Sequence, residues 1–174
     1  RNFVDSVQIT MAEDFGLRGR EAFYDKVGAI RDVVQNHLLQ VMALVAMDPP
    51  AGPDHDVFMR ARVHLLEAIR PLSPENVVRG QVLGYAAADG VAAGSTTETY
   101  VAVRMAIESW RWADVPFYIR AGKSLPVTAT EVIVELKRPP RNVFGERVPG
   151  HPNHVLFRLG PDVSINLGAR TKVP

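Results

Sequence analysis

Val4, Val7, Ile9 and Met11 stand apolar among Asp5, Ser6, Gln8 and Thr10. This is close to the two-residue alternation of a half-buried strand and predicts one over Phe3 to Met11. A Gly/Arg-rich loop, Gly16 to Arg20, follows, and Glu21 to Val27 lead into a different period. From Ala29 to Met47 the apolar residues Ile30, Val33, Val34, Leu38, Val41, Leu44 and Val45 recur at spacings of three and four, the signature of a helix. Asp48-Pro49-Pro50 ends it, because proline has no amide hydrogen to donate. The segment is apolar nearly all round, so burial is expected. Asp56 to Ala68 reads as a second, amphipathic helix with Val57, Val63, Leu65, Leu66 and Ile69 facing inward.

Beyond the turn Ser73-Pro74-Glu75-Asn76 the period moves toward two. Strands are predicted over Val77 to Tyr85, Tyr100 to Glu108, Val115 to Ile119, Glu131 to Lys137, Val155 to Leu159 and Val163 to Leu167, with a small, polar loop over Ala86 to Thr97. Helices followed by a run of strands argue for an α+β fold, buried helices packed on a mainly antiparallel sheet. The 174 residues suffice for one hydrophobic core. Lys and Arg number 20 against 19 Asp and Glu, a net charge of +1, which disfavours nucleic acid or an anionic membrane as partner. There is no Cys, in keeping with a reducing compartment and a cytoplasmic location. The longest apolar run, Val41 to Met47, falls far short of the roughly 20 residues of a membrane-spanning helix.

Several chemical motifs are excluded. No two glycines lie two apart, so the dinucleotide fingerprint is absent. Gly122-Lys123-Ser124 imitates the end of a phosphate-binding loop, but Phe117 stands where its first glycine belongs. His151 and His154 have a ligand-like spacing without a second pair of ligands, so no metal is expected. Trp110, Trp112, Phe117 and Tyr118 fit core or interface packing better than a platform for bases.

The unusual stretch is Arg31 to Gln40, which sets Asp32, Gln35, Asn36, His37 and Gln40 in an otherwise apolar helix. Burying such groups costs roughly 1 to 3 kcal/mol each unless they are partnered, so a satisfying network is expected. At about 100° per residue Asp32 and Asn36 share a face, while His37 lies about 140° from Asp32. His37 is equally open to a structural role and to proton transfer, for which histidine suits neutral pH. Glu13, at a strand end, and Lys123, in a Gly-flanked turn, are either solvated charges or site residues.

Together the runs Tyr24 to Gln40, Arg79-Gly80-Gln81, Glu98-Thr99-Tyr100 and Arg111 to Lys123 resemble the glucose-6-phosphate dehydrogenase family. The resemblance implies that residues 1–174 are the first part of its C-terminal, substrate-binding domain, with a Rossmann domain before Arg1 and further strands after Pro174. It implies an NADP-dependent oxidation of glucose 6-phosphate at C1 to the lactone, opening the oxidative pentose phosphate pathway, by a homodimer or homotetramer assembled through the sheet. By position, His37 matches the family's general base. Glu13 and Asp32 match carboxylates that bind sugar hydroxyls, and Lys123 matches a substrate-contacting lysine. The family's partner of the catalytic histidine and its phosphate ligands belong to a motif upstream of Arg1. Arg120 and Arg158 are the positions available for a second, structural NADP. Thr128 stands where many members have a basic residue, and Gly160 where they have Gln. These departures leave open a noncatalytic paralogue or a dehydrogenase for another hexose.

Overall fold

The computed structural model describes residues 2–17, 19–138 and 151–169. Strand β1 (Val4–Ala12) is followed by helix α1 (Glu21–Ala29), a π-helical stretch (Ile30–Leu38), α2 (Leu39–Ala46) and α3 (His55–Glu67). Strands β2 (Val77–Gly80), β3 (Tyr100–Met105), β4 (Phe117–Gly122), β5 (Ala129–Leu136), β6 (His154–Gly160) and β7 (Ser164–Gly168) complete one seven-stranded sheet in the order β2-β3-β4-β1-β5-β6-β7. Every neighbouring pair is antiparallel except β1 and β4, which run parallel with Ala12 opposite Gly122. The α+β expectation holds.

Alternation in the strands builds one continuous apolar face. Val7 lies between Phe117 and Val134, Ile9 lies between Ile119 and Val132, and Val103 follows beside Ile119. Tyr24, Ala29, Val33, Val34, Leu38, Met42, Ala43 and Ala46 close over this face to form the core. Fully burying side chains of this size is worth roughly 1.5 to 3 kcal/mol each. Trp112 packs edge-on to Phe117 at 5.1 Å and donates its indole N–H to the Ala46 carbonyl at 2.7 Å, locking the end of α2 to the sheet. The four aromatics make no common platform, because Trp110 is 90% exposed and Tyr118 lies on the opposite face from Phe117. At the far edge Val163, Ile165 and Leu167 are exposed, so the sheet extends past its helices.

Three expectations need correction. In α2 the buried residues are Met42, Ala43 and Ala46, whereas Leu44 is exposed and Val41 and Val45 are half-buried. The π turns wind fewer degrees per residue and shift the phase of all that follows. In α3 only Leu65 is buried, and Val63 faces solvent. The strand expected over Val77 to Tyr85 ends at Gly80. Gln81 instead donates to the Ser95 and Thr97 carbonyls at 2.9 Å, and Gly84, with φ of 85°, turns the chain away.

Candidate functional site

Glu13 and Lys123 occupy equivalent places just beyond the carboxyl ends of the parallel pair β1 and β4, where ligands of mixed sheets commonly bind. Main-chain bonds continue the pairing past the strands. Glu13 N–H donates to the Gly122 carbonyl (3.0 Å), Leu125 N–H to the Glu13 carbonyl (2.9 Å) and Ser124 N–H to the Phe15 carbonyl (3.1 Å). The Lys123 ammonium is thereby placed on the Glu13 carboxylate in a close ion pair. It also stands 5.5 Å from the centre of the Phe15 ring and 5.6 Å from that of Tyr24.

Asp32 and His37 lie on the π-helical stretch, in which the Leu39 N–H bonds the Val34 carbonyl five residues back. At roughly 80° per residue for such a helix, five positions bring a side chain to within about 50° of its starting direction. Asp32 and His37 are therefore carried toward one face, instead of the 140° apart that an α-helix would give. Gln35, Asn36, His37 and Gln40 are exposed and Asp32 is half-buried. The expected buried polar network is thus not needed: these groups form the open face of the helix, and the nearest partner of His37 is the Asn36 amide, 3.4 Å from Nε2.

Two residues that spacing did not single out join the site. Tyr24 is buried at 1% exposure and its hydroxyl has no hydrogen-bond partner among the described residues. Burial first, then the carboxylates of Asp32, Glu98 and Glu13, hold its phenol well above the ordinary tyrosine range. The Asp32 helix packs on β1 and β4, the two strands that end at Glu13 and Lys123. Glu98, also buried, receives the Ile30 N–H on Oε1 at 2.9 Å and the Ala29 N–H on its carbonyl at 3.0 Å. Asp25, on α1, holds the loop before β3: its carboxylate accepts from the Ser95 hydroxyl, the Tyr85 hydroxyl (2.8 Å) and the Ala92 N–H (3.1 Å). These bonds, that of Ser95 foremost, lower its pKa.

The two departures differ: Thr128 has a local role, and nothing in the structure explains glycine at 160. The Thr128 hydroxyl bonds Asp14, accepting its N–H at 3.0 Å and donating to its carboxylate at 2.5 Å. Gly160, opposite Thr130 in the sheet, has open space where a side chain would start. Arg120 and Arg158 lie in one cross-strand row, Arg120–Thr10–Glu131–Arg158. Arg120 donates to Gln8 at 3.1 Å, and Arg158 stands 3.7 Å from Glu131. Among the described residues no group of three or more His, Cys, Asp or Glu is placed to hold a metal ion, and no helix is long and apolar enough to cross a membrane.

Glu13 and Lys123 beside the parallel strand ends, with Asp32 and an exposed imidazole on the helix packed against those strands, are groups suited to holding a polyol and moving a proton. Comparison with known proteins agrees with that chemistry. The chain is 51% identical over 168 residues to glucose-6-phosphate 1-dehydrogenase 1 of Mycobacterium tuberculosis (strain ATCC 25618 / H37Rv), covering 96% of this chain and 36% of that protein. It is 43% identical to glucose-6-phosphate 1-dehydrogenase of Aggregatibacter actinomycetemcomitans, over 100% of this chain and 38% of that one. The crystal structure of the Mycobacterium avium glucose-6-phosphate 1-dehydrogenase matches with a TM-score of 0.94 and 49% identity, over 99% of this chain and 38% of that one. A glucose-6-phosphate dehydrogenase in complex with its substrate glucose-6-phosphate matches with a TM-score of 0.92 and 32% identity, over 100% and 37%. The chain thus spans under two fifths of the length of these relatives. The model of the glucose-6-phosphate dehydrogenase C-terminal domain matches all of residues 1–174, and the chain belongs to that family.

Proposed function

We propose that this chain supplies the sugar-binding and proton-transfer half of a glucose-6-phosphate dehydrogenase, which oxidises C1 of glucose 6-phosphate to the lactone in the oxidative pentose phosphate pathway. The observation that carries the proposal is the Glu13–Lys123 ion pair at the ends of β1 and β4, set against the Tyr24 ring, with the helix that bears Asp32 and His37 packed on the same two strands. His37, exposed on the open face of its helix, takes the proton of the C1 hydroxyl. Without such a base, hydride loss from a neutral carbinol would build positive charge on the sugar. Asp32 and Glu13 accept hydrogen bonds from sugar hydroxyls and fix the ring, and Lys123 offers a cation to the phosphorylated sugar.

Among the described residues, the direct strand-to-helix passage Ala12 to Glu21 does not fit a pyrophosphate: it lacks the paired glycines that let a backbone approach one, and it carries the carboxylate of Glu13. NADP+, the hydride acceptor, belongs in this reading to the part of the longer relatives that the chain does not span. Association into a homodimer or homotetramer through the sheet is part of the same proposal. The test is the formation of NADPH from NADP+ and glucose 6-phosphate by the full-length protein, followed by absorbance. His37→Asn is expected to lower kcat by about a hundredfold or more, with the melting temperature unchanged. A His37→Asn protein as fast as wild type would remove the base assignment.

A further inference from the structure

We propose that Glu98 is a positioning residue of this site, setting the start of the helix that carries Asp32 and His37 against the turn that carries Lys123. The first amides of a helix have no partner inside it and must find acceptors elsewhere. Here two consecutive ones find the same residue: Ala29 N–H bonds the Glu98 carbonyl at 3.0 Å and Ile30 N–H bonds its carboxylate at 2.9 Å. A carboxylate at this end also suits the partial positive charge of the helix start.

The approach is possible because Gly28, with φ of 67° and ψ of 176°, breaks the preceding helix and has no side chain. A Cβ there would stand 2.5 Å from Glu98 Oε1. The next residue, Thr99, is fully buried and ties the same two-residue segment to the other half of the site. Its carbonyl accepts the Lys123 N–H at 3.1 Å, while its own N–H bonds the Gly80 carbonyl at 2.9 Å and its hydroxyl accepts the Val82 N–H at 2.8 Å. Glu98 and Thr99 thus form a bracket with the catalytic helix on one arm and the substrate lysine on the other. Both residues are buried, so the effect is on geometry.

This role rests on the proposed function, and its test separates the two. In the full-length protein, kcat and KM for glucose 6-phosphate are measured for wild type, Glu98→Ala, Glu98→Gln and Glu98→Asp, at a temperature where circular dichroism shows each to be folded. Glu98→Ala is expected to lower kcat/KM by about tenfold or more, with both constants moving, as a displaced site of this kind would show. Glu98→Gln keeps an acceptor at the same reach and is expected to restore activity to within about threefold. Glu98→Asp keeps the charge but falls a methylene short, and is expected to be worse than Glu98→Gln. If Glu98→Ala does not fold, that last comparison decides. A lower melting temperature with kcat and KM unchanged in Glu98→Ala, or Glu98→Asp as active as Glu98→Gln, would overturn the positioning role alone. Absence of turnover in the wild-type protein would overturn the functional reading and this role with it.

Discussion

Glu13 and Lys123 form their ion pair because β1 and β4 run parallel in a register that leaves both side chains one residue past the last strand pair. The pair is neither deep nor fully solvated, the side chains being 22% and 12% exposed respectively. Breaking a buried pair costs 3 to 5 kcal/mol and an exposed one 1 kcal/mol or less, so Lys123→Gln is expected to destabilise by about 2 kcal/mol. Most of that cost is the Glu13 charge left without a partner. The double substitution Glu13→Gln/Lys123→Gln is therefore expected to be more stable than Lys123→Gln alone. Urea denaturation of Glu13→Gln, Lys123→Gln and the double variant beside wild type measures the coupling directly, and a double variant less stable than Lys123→Gln would contradict this account.

How far this site was legible in the sequence depends on which interaction placed each residue. Local period sufficed for β1, expected over Phe3 to Met11 and found over Val4–Ala12, and for α3, expected over Asp56 to Ala68 and found over His55–Glu67. The parallel pairing of β1 and β4 has no local signal, since about a hundred residues intervene and either strand alone reads the same in both orientations. The π turns were hidden for a different reason. Their apolar residues Ile30, Val33, Val34 and Leu38 also satisfy an α-helical stripe, and only the displaced burial of Met42, Ala43 and Ala46 reveals the change of phase. Glu13, Asp32, His37 and Lys123 stand out in the sequence by type and position, and the family resemblance gives them their roles. Tyr24 and Glu98 lay within matched runs, but their importance comes from tertiary neighbours that no spacing announces.

Tyr24 and Tyr85 offer a contrast between two buried phenols. The Tyr85 hydroxyl donates to the Asp25 carboxylate at 2.8 Å, whereas that of Tyr24 has no partner among the described residues. A buried group without a partner gives no hydrogen bond to lose, so Tyr24→Phe is expected to be neutral or stabilising at pH 7, and Tyr85→Phe destabilising. Both phenols are held above their ordinary value, chiefly by burial. The unfolded chain therefore releases these protons near pH 10 while the folded chain keeps them, and stability must fall as pH rises beyond about 10. The stabilising contribution is complete below that pH. Each Phe substitution is expected to flatten the alkaline decline, which chemical denaturation at pH 8 to 11 would read. An unchanged slope in both variants would show that these tyrosines do not govern it.

Gly28 carries two separate constraints, and a pair of substitutions can separate them. Its φ of 67° and ψ of 176° lie in a region open almost only to glycine, costing other residues of order 1 to 3 kcal/mol. A Cβ would in addition meet the Glu98 carboxylate, with Oε1 at 2.5 Å and the carboxyl carbon at 2.9 Å. That carboxylate cannot withdraw without giving up the Ile30 N–H. Gly28→Ala is thus expected to destabilise by about 3 kcal/mol or more, the sum of backbone strain and a lost helix-start bond. In a Glu98→Ala background the collision is gone and only the backbone strain remains, so the same substitution should cost about 1 to 3 kcal/mol. Denaturation midpoints of wild type, both single variants and the double variant give the coupling. Strict additivity would mean that Glu98 does not press on Gly28, while a smaller cost in the Glu98→Ala background shows that the glycine is required there by the carboxylate as well as by the backbone.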